Sequence, residues 1–376
     1  MLQGWINGIR EISVLRAQKI LKRERNHCRR GGLLYLGALR EVFVITLAVG
    51  LVMTSLWQVS WLLDVHLSTQ KSDSPNSDAR PVINLAVNQE HLTLFTHAIT
   101  GKLSQISLET GTLSSRPVPK DTVAVAMSAK AGTIAMLEEW SEDRQMCHRV
   151  DVVRNDQIVV SEEVNFEAYS DVSIYASSDG NYVMCFSGQG TGIGWDLTES
   201  TPRRWTTNVG PMTHINRLSP DGHRLFISSQ NGPPFICDAR TGEARILLAH
   251  VERVCQSVTW SADGNRLLIG DYGGGIHVFD ALSGQRIWHH KLDFQFARSV
   301  AFSDDGDKFA AGGFDEIIRV WDLSQPDQQP IQMKGQRGVI RSLVFTASNE
   351  NLISGSFNGT IFEWSLANQA CVRKFQ

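Results

Sequence analysis

The pattern of the heptapeptide IIRVWDL at 317–323 also stands in GIHVFDA at 275–281 and PPFICDA at 233–239, at a fixed step. The pairs Trp195-Asp196, Cys237-Asp238, Phe279-Asp280 and Trp321-Asp322 are each 42 residues apart, and Trp364-Ser365 follows after 43. A second marker keeps the same step: Asp179-Gly180, Asp221-Gly222, Asp263-Gly264 and Asp305-Gly306, with Asn349 in the glycine's place 43 residues later. Self-similarity with a period of about 20–50 residues marks folds built by stacking one supersecondary unit, and it outranks local propensity as evidence of architecture.

Each unit reads as four short strands. In residues 254–291, SVTW, RLLIG, IHVFD and QRIWHH are separated by Asp263-Gly264, by YGGG and by Ser283-Gly284, all turn-forming. The runs are too short and too interrupted by glycine for helices, and apolar enough for strands covered on both faces. One such sheet cannot cover two apolar faces alone. Stacking copies in a ring does so, which predicts an all-β propeller.

The turns SPDG at 219–222, SADG at 261–264 and SDDG at 303–306, with VWD at 320–322, resemble the signature of WD40 repeats. Fainter copies precede them: SAKAGTIAM at 128–136, and NLAVNQEHLTLF with SLETG at 84–95 and 107–111. The resemblance covers residues 80–376, room for seven units, and implies a seven-bladed WD40-like β-propeller. It assigns structural repeat positions to Trp195, Asp196, Asp238, Asp280, Asp315, Trp321, Asp322 and Trp364. It also implies a hydrogen-bond network of Trp, Ser or Thr, His and Asp. Asp315 and Trp321 match that network, Asn358 stands in the aspartate's place before Trp364, and only His250 looks like the histidine. The fifth unit has Gly273 and Phe279 at the network positions, so its network is expected to be absent. Apolar packing should then dominate. Burying a Phe or Trp contributes roughly 1.5–3 kcal/mol, against about 1 kcal/mol net for a hydrogen bond.

One stretch does not belong to a propeller. Residues 42–63, VFVITLAVGLVMTSLWQVSWLL, carry no charge over 22 positions. As a helix they would extend about 33 Å, enough to cross the hydrocarbon core, with Trp57 and Trp61 toward one interface. A cleaved signal peptide does not fit, because the preceding basic region is too long and no small-x-small cleavage site follows. Residues 1–40 hold nine Lys or Arg and two Glu, whereas the far side begins with Asp64 and has only Lys71 and Arg80 nearby. The positive-inside bias places the tail in the cytoplasm and the propeller outside it. The expected organisation is a basic cytoplasmic tail at 1–41, a transmembrane helix at 42–63, a polar linker at 64–79 and the propeller at 80–376. Leu2, Trp5, Ile6, Ile9, Ile12 and Leu15 form a stripe that fits either an inner-leaflet helix or a loose tail.

The whole chain has 36 basic and 39 acidic residues; without those of 1–40, residues 41–376 retain 27 and 37, a net charge of −10. A basic footprint for nucleic acid is missing. GQGTGIG at 188–194 and GDYGGG at 270–275 look like phosphate cradles, but each falls between a second and a third strand with no helix after it. They read as hairpin turns, in register with GGFDE at 312–316. His289-His290 are neighbours on a strand and point to opposite faces, which does not suit one metal ion. The six cysteines form no C-x-x-C pair; Cys185 and Cys237 fall at core positions and read as buried thiols. No nucleophile–base or paired-carboxylate motif is present, so neither a catalytic residue, a metal nor a cofactor is expected.

Tyr272, Phe314 and Phe357 occupy the turn between second and third strands in the fifth, sixth and seventh units. The resemblance puts this turn on one rim, where neighbouring exposed aromatics suit a protein partner. The competing reading has each ring packing on the next blade. The expected function is a membrane-anchored interaction scaffold without catalysis. Its rival is a quinoprotein-like propeller, an enzyme or an envelope-assembly factor, because FDALSGQRIW at 279–288 and CDARTGEARI at 237–246 resemble that family's strand pairs.

Overall fold

The computed structural model describes the strands at 84–88, 93–98, 102–107 and 113–117 by their backbone. It describes most of 119–375 in full, except 120–121, 129–131, 143–144, 167–171, 211–212, 230–231, 252–253 and 293–296. The tail, the apolar span at 42–63 and the linker lie outside the described residues. Among the described residues no helix is long and apolar enough to cross a membrane.

The regular structure described is all β. It forms seven four-stranded antiparallel sheets, each a meander whose strands pair in chain order. The fifth shows the unit: Cys255–Trp260, Arg266–Asp271, Gly275–Asp280 and Arg286–Lys291. These are the four runs expected from sequence. First strands of successive sheets neighbour one another from the second sheet to the seventh, and Asn84–Asn88 of the first sheet lies beside Ile340–Phe345 of the seventh. The seventh sheet takes its fourth strand, Ala370–Phe375, from its own unit, so it borrows none from the N-terminal side.

Strand periodicity explains how each sheet holds two neighbours. Along Tyr182–Ser187, Val183 and Cys185 enter the cluster between the second and third sheets, whereas Met184 and Phe186 enter the one between the third and fourth. Alternate residues thus feed alternate seams. The repeated aromatic position always fills the seam toward the preceding sheet: Trp195, Cys237, Phe279, Trp321 and Trp364 each sit in a different cluster.

The Ser-x-Asp-Gly turns close the first hairpins by one mechanism. Ser177, Ser219, Ser261 and Ser303 donate to Asp179, Asp221, Asp263 and Asp305 at 2.5–2.6 Å. Each serine oxygen also accepts the backbone N–H five residues on, at 2.9 Å. The turn needs a left-handed residue, supplied by Gly180, Gly222, Gly264 and Gly306 at φ 71–75° and by Asn349 at φ 57°. That is why asparagine can replace the glycine in the seventh unit. Adjacent turns are stapled as well: Arg224 donates to the Gly264 carbonyl at 2.8 Å and Arg266 to that of Gly306 at 2.7 Å.

Gly273 and Phe279 leave the fifth sheet's network positions without polar side chains, and its buried polar pair is built from other residues: His277 Nε2 lies 3.1 Å from Asp271 Oδ2, both nearly inaccessible. One expectation needs correction. His250 joins no network as the family's histidine does; it is exposed at φ 70°, and its carbonyl accepts from Arg286 at 3.2 Å.

Candidate binding surface

Each turn that carries a candidate aromatic is held by an acidic or amide side chain. After Asp271, the backbone N–H groups of Gly273 and Gly275 both donate to its Oδ1 at 2.7 Å. Burial alone would raise the Asp271 carboxyl, but the hydrogen bonds from His277, Gly275 and Gly273 outweigh it and hold the pKa below the usual range. In the sixth sheet Asp315 pairs with Arg319 at 2.7 Å, and Glu316 accepts the Gly338 N–H at 2.8 Å. Asp315 therefore serves its own turn. In the seventh, Asn358 donates to the Arg337 carbonyl at 2.9 Å and accepts from Thr360.

These fixed turns set where the aromatics sit. Phe314 is 48% exposed, while Tyr272 and Phe357 are half-buried. Tyr272 N–H donates to Val254 O at 2.8 Å and Phe357 N–H to Val339 O at 2.9 Å, matching bonds to the connection that enters each sheet. The Arg341 guanidinium lies 5.5 Å from the Phe357 ring centre. Lys334 and Arg337 are exposed on the connection into the seventh sheet. Glu316 is exposed beside Phe314 and keeps its negative charge, so both signs of charge are presented near the aromatics.

The repeat aspartates act locally. Asp196, Asp238, Asp280 and Asp322 each accept from a hydroxyl two or three residues on: Thr198 at 2.6 Å, Thr241 at 3.0 Å, Ser283 at 2.6 Å and Ser324 at 2.5 Å. They cap the turn into the fourth strand. Asp196 also pairs with Arg240 of the next unit at 2.6 Å. Among the repeat tryptophans, Trp195 Nε1 donates to Glu162 at 2.9 Å, and Arg204 reaches the same carboxylate at 2.9 Å. Trp364 donates to Ser354 at 2.8 Å, Ser354 donates to Gln336 Oε1, and Gln336 Nε2 donates to the Thr360 carbonyl at 3.0 Å. Glutamine thus occupies the role expected of histidine.

The glycine-rich segments are hairpin turns. A Cβ at Gly190 would lie 1.8 Å from the Gly210 carbonyl oxygen, so that glycine serves close backbone approach. His289 faces His277 at 5.0 Å and His290 faces Trp321 at 5.7 Å between ring centres, on opposite sides of their strand. No group of three or more His, Cys, Asp or Glu that could hold a metal occurs among the described residues. Cys147, Cys185, Cys237, Cys255 and Cys371 are free thiols. Burial pushes Cys185 far up and Cys237 and Cys255 up to about 11, which suits packing rather than reactivity.

The family model described as WD domain, G-beta repeat matches residues 286–322 and 328–365. Each match begins in the fourth strand of one sheet, or in the connection just before it, and ends with the third strand of the next. No curated protein matches the chain.

Proposed function

We propose that this chain, which carries WD40 repeats, is a membrane-anchored scaffold that binds a protein partner through one rim of a seven-bladed propeller and has no catalysis of its own. The observation that carries the reading is the set of three aromatic turns. Tyr272, Phe314 and Phe357 stand at equivalent positions in sheets whose first strands are neighbours, and the backbone around them is fixed by side-chain hydrogen bonds. Preformed aromatic anchors are what a binding hot spot requires.

Seven four-stranded sheets and the contact between the first and seventh sheets support the blade count. The uncharged run at 42–63 and the basic tail support a single span, with the tail at the inner leaflet, the N-terminus cytoplasmic and the propeller extracytoplasmic. Thr46, Gly50 and Thr54 would give that span a small-residue face.

The test is affinity capture with the intact chain. Tyr272→Ala, Phe314→Ala and Phe357→Ala together should abolish recovery of the partner, with the melting temperature nearly unchanged. A triple variant that melts normally and still captures the partner overturns the assignment of the rim. Topology is tested separately: protease added outside spheroplasts or cells should degrade the propeller and spare residues 1–40, and a protected propeller would overturn the orientation.

A further inference from the structure

A cavity of about 210 Å³ opens where the first strands of the second to fifth sheets end, beside the Ser-x-Asp-Gly turns of the third to fifth. The aromatic turns lie at the other ends of their sheets, so the two sites are separate. Among the described residues its lining includes one charged residue, Arg217, and no carboxylate. The other lining residues are mostly apolar, Ile174 and Leu218 among them, and the surface they leave open is more polar than apolar.

Arg217 is exposed, and its guanidinium lies 5.8 Å from the Tyr175 ring centre, a contact that restricts where the charge can go. No carboxylate pairs with it among the described residues. Its backbone plays a separate part, because the Arg217 carbonyl accepts the Trp260 indole N–H at 3.1 Å and so ties the fourth sheet to the fifth. Apart from its contact with the Tyr175 ring, the guanidinium has no ion-pair partner among the described residues. Residues 41–376 carry a net charge of −10, which makes an uncompensated cation inside a concave site more unusual.

We propose that this cavity binds a small organic acid, with Arg217 receiving the carboxylate through paired N–H donors and the apolar walls receiving the body. Arginine matches carboxylate geometry better than a point cation does. The cavity is smaller than the roughly 300–1,000 Å³ of drug-sized ligand pockets, so the occupant is a compact acid or the terminal carboxylate of an inserted chain.

The test is calorimetric titration of the full chain with benzoate, benzamide and inorganic phosphate. Benzoate should bind saturably. Benzamide, which lacks the charge, and phosphate, which lacks the apolar body, should bind roughly tenfold or more weakly, the scale of one charge-assisted pair. Arg217→Gln should weaken benzoate similarly and Arg217→Lys should recover part, with melting temperatures unchanged. A short peptide that binds only with a free, not an amidated, C-terminus would identify an inserted chain as the source of the carboxylate. Failure of benzoate to bind, equal binding of benzamide or phosphate, or an unaltered Arg217→Gln variant overturns the proposal. The wild-type comparison decides the matter even where a variant fails to fold. None of these results depends on the aromatic rim.

Discussion

Trp321 and Trp364 occupy the same register in the sixth and seventh sheets, opposite Phe309 and Leu352, yet they are held in different ways. Trp321 is surrounded by rings. It stacks on Phe309 at 5.3 Å and 10°, meets Trp288 edge-on at 5.7 Å, and faces His290. Trp364 instead heads the chain of hydrogen bonds through Ser354 to Gln336 and the Thr360 carbonyl. The repeat specifies a large side chain in the seam, and neighbouring sheets decide whether ring contact or hydrogen bonding orients it. In the fifth sheet Phe279 has no N–H to offer, and the buried polar pair is Asp271 with His277.

The largest effect should come from emptying a seam. Trp321→Ala and Trp364→Ala should each cost roughly 3–5 kcal/mol, as truncation of a buried Trp does. Denaturant melts of the two variants check this. A loss below about 0.5 kcal/mol at either site would mean a surface side chain and would break the equivalence of the two positions.

Next is the polar pair of the fifth sheet. Asp271→Asn should cost about 2 kcal/mol near neutral pH, the scale of hydrogen bonds to a charged group. The folded pKa of Asp271 lies below its unfolded value. Its contribution is therefore complete above the ordinary carboxylate pKa of about 3.9 and disappears as pH falls through the lower folded value. Urea melts of wild type and Asp271→Asn should stay separated near neutral pH and converge in acid. A gap that persists in acid would mean that the charge is not what the turn uses.

A smaller difference sharpens the comparison of the two tryptophans. Phenylalanine keeps most ring contacts but removes the indole N–H. Trp364→Phe should therefore cost about 1 kcal/mol more than Trp321→Phe, the net worth of one hydrogen bond. Ser354→Ala should abolish that difference in a double-mutant cycle. Equal costs for the two substitutions would reduce the Ser354–Gln336 chain to a bystander.

The sheets are legible in the sequence because two markers keep one step. Asp263-Gly264 locates a turn, and Phe279-Asp280 locates the third strand and its seam. The polar partners are not legible in the same way. Gln336 reaches Ser354 across 18 residues of chain, through a contact that only the folded sheet creates. Asp271 and His277 flank a tight turn but are not opposite each other, since His277 faces Ile269, and the family's network positions, Gly273 and Phe279, carry no polar side chain to signal a pair. Arg217 has no linear signal at all, because four separate first strands build the cavity around it.

The smallest stability effect belongs to the rim, and it separates binding residues from packing residues. Phe314 is about half exposed, so Phe314→Ala should change stability by no more than about 0.5 kcal/mol, the usual range for surface positions. Phe357 is half-buried with Arg341 over its ring, and Phe357→Ala should cost more than Phe314→Ala. Single-variant melts check this order. If Phe314→Ala proves the more damaging, its ring packs on the structure and cannot anchor a partner. If it is silent in melting but weakens capture by the intact chain, Phe314 is the anchor, and Tyr272 and Phe357 frame it.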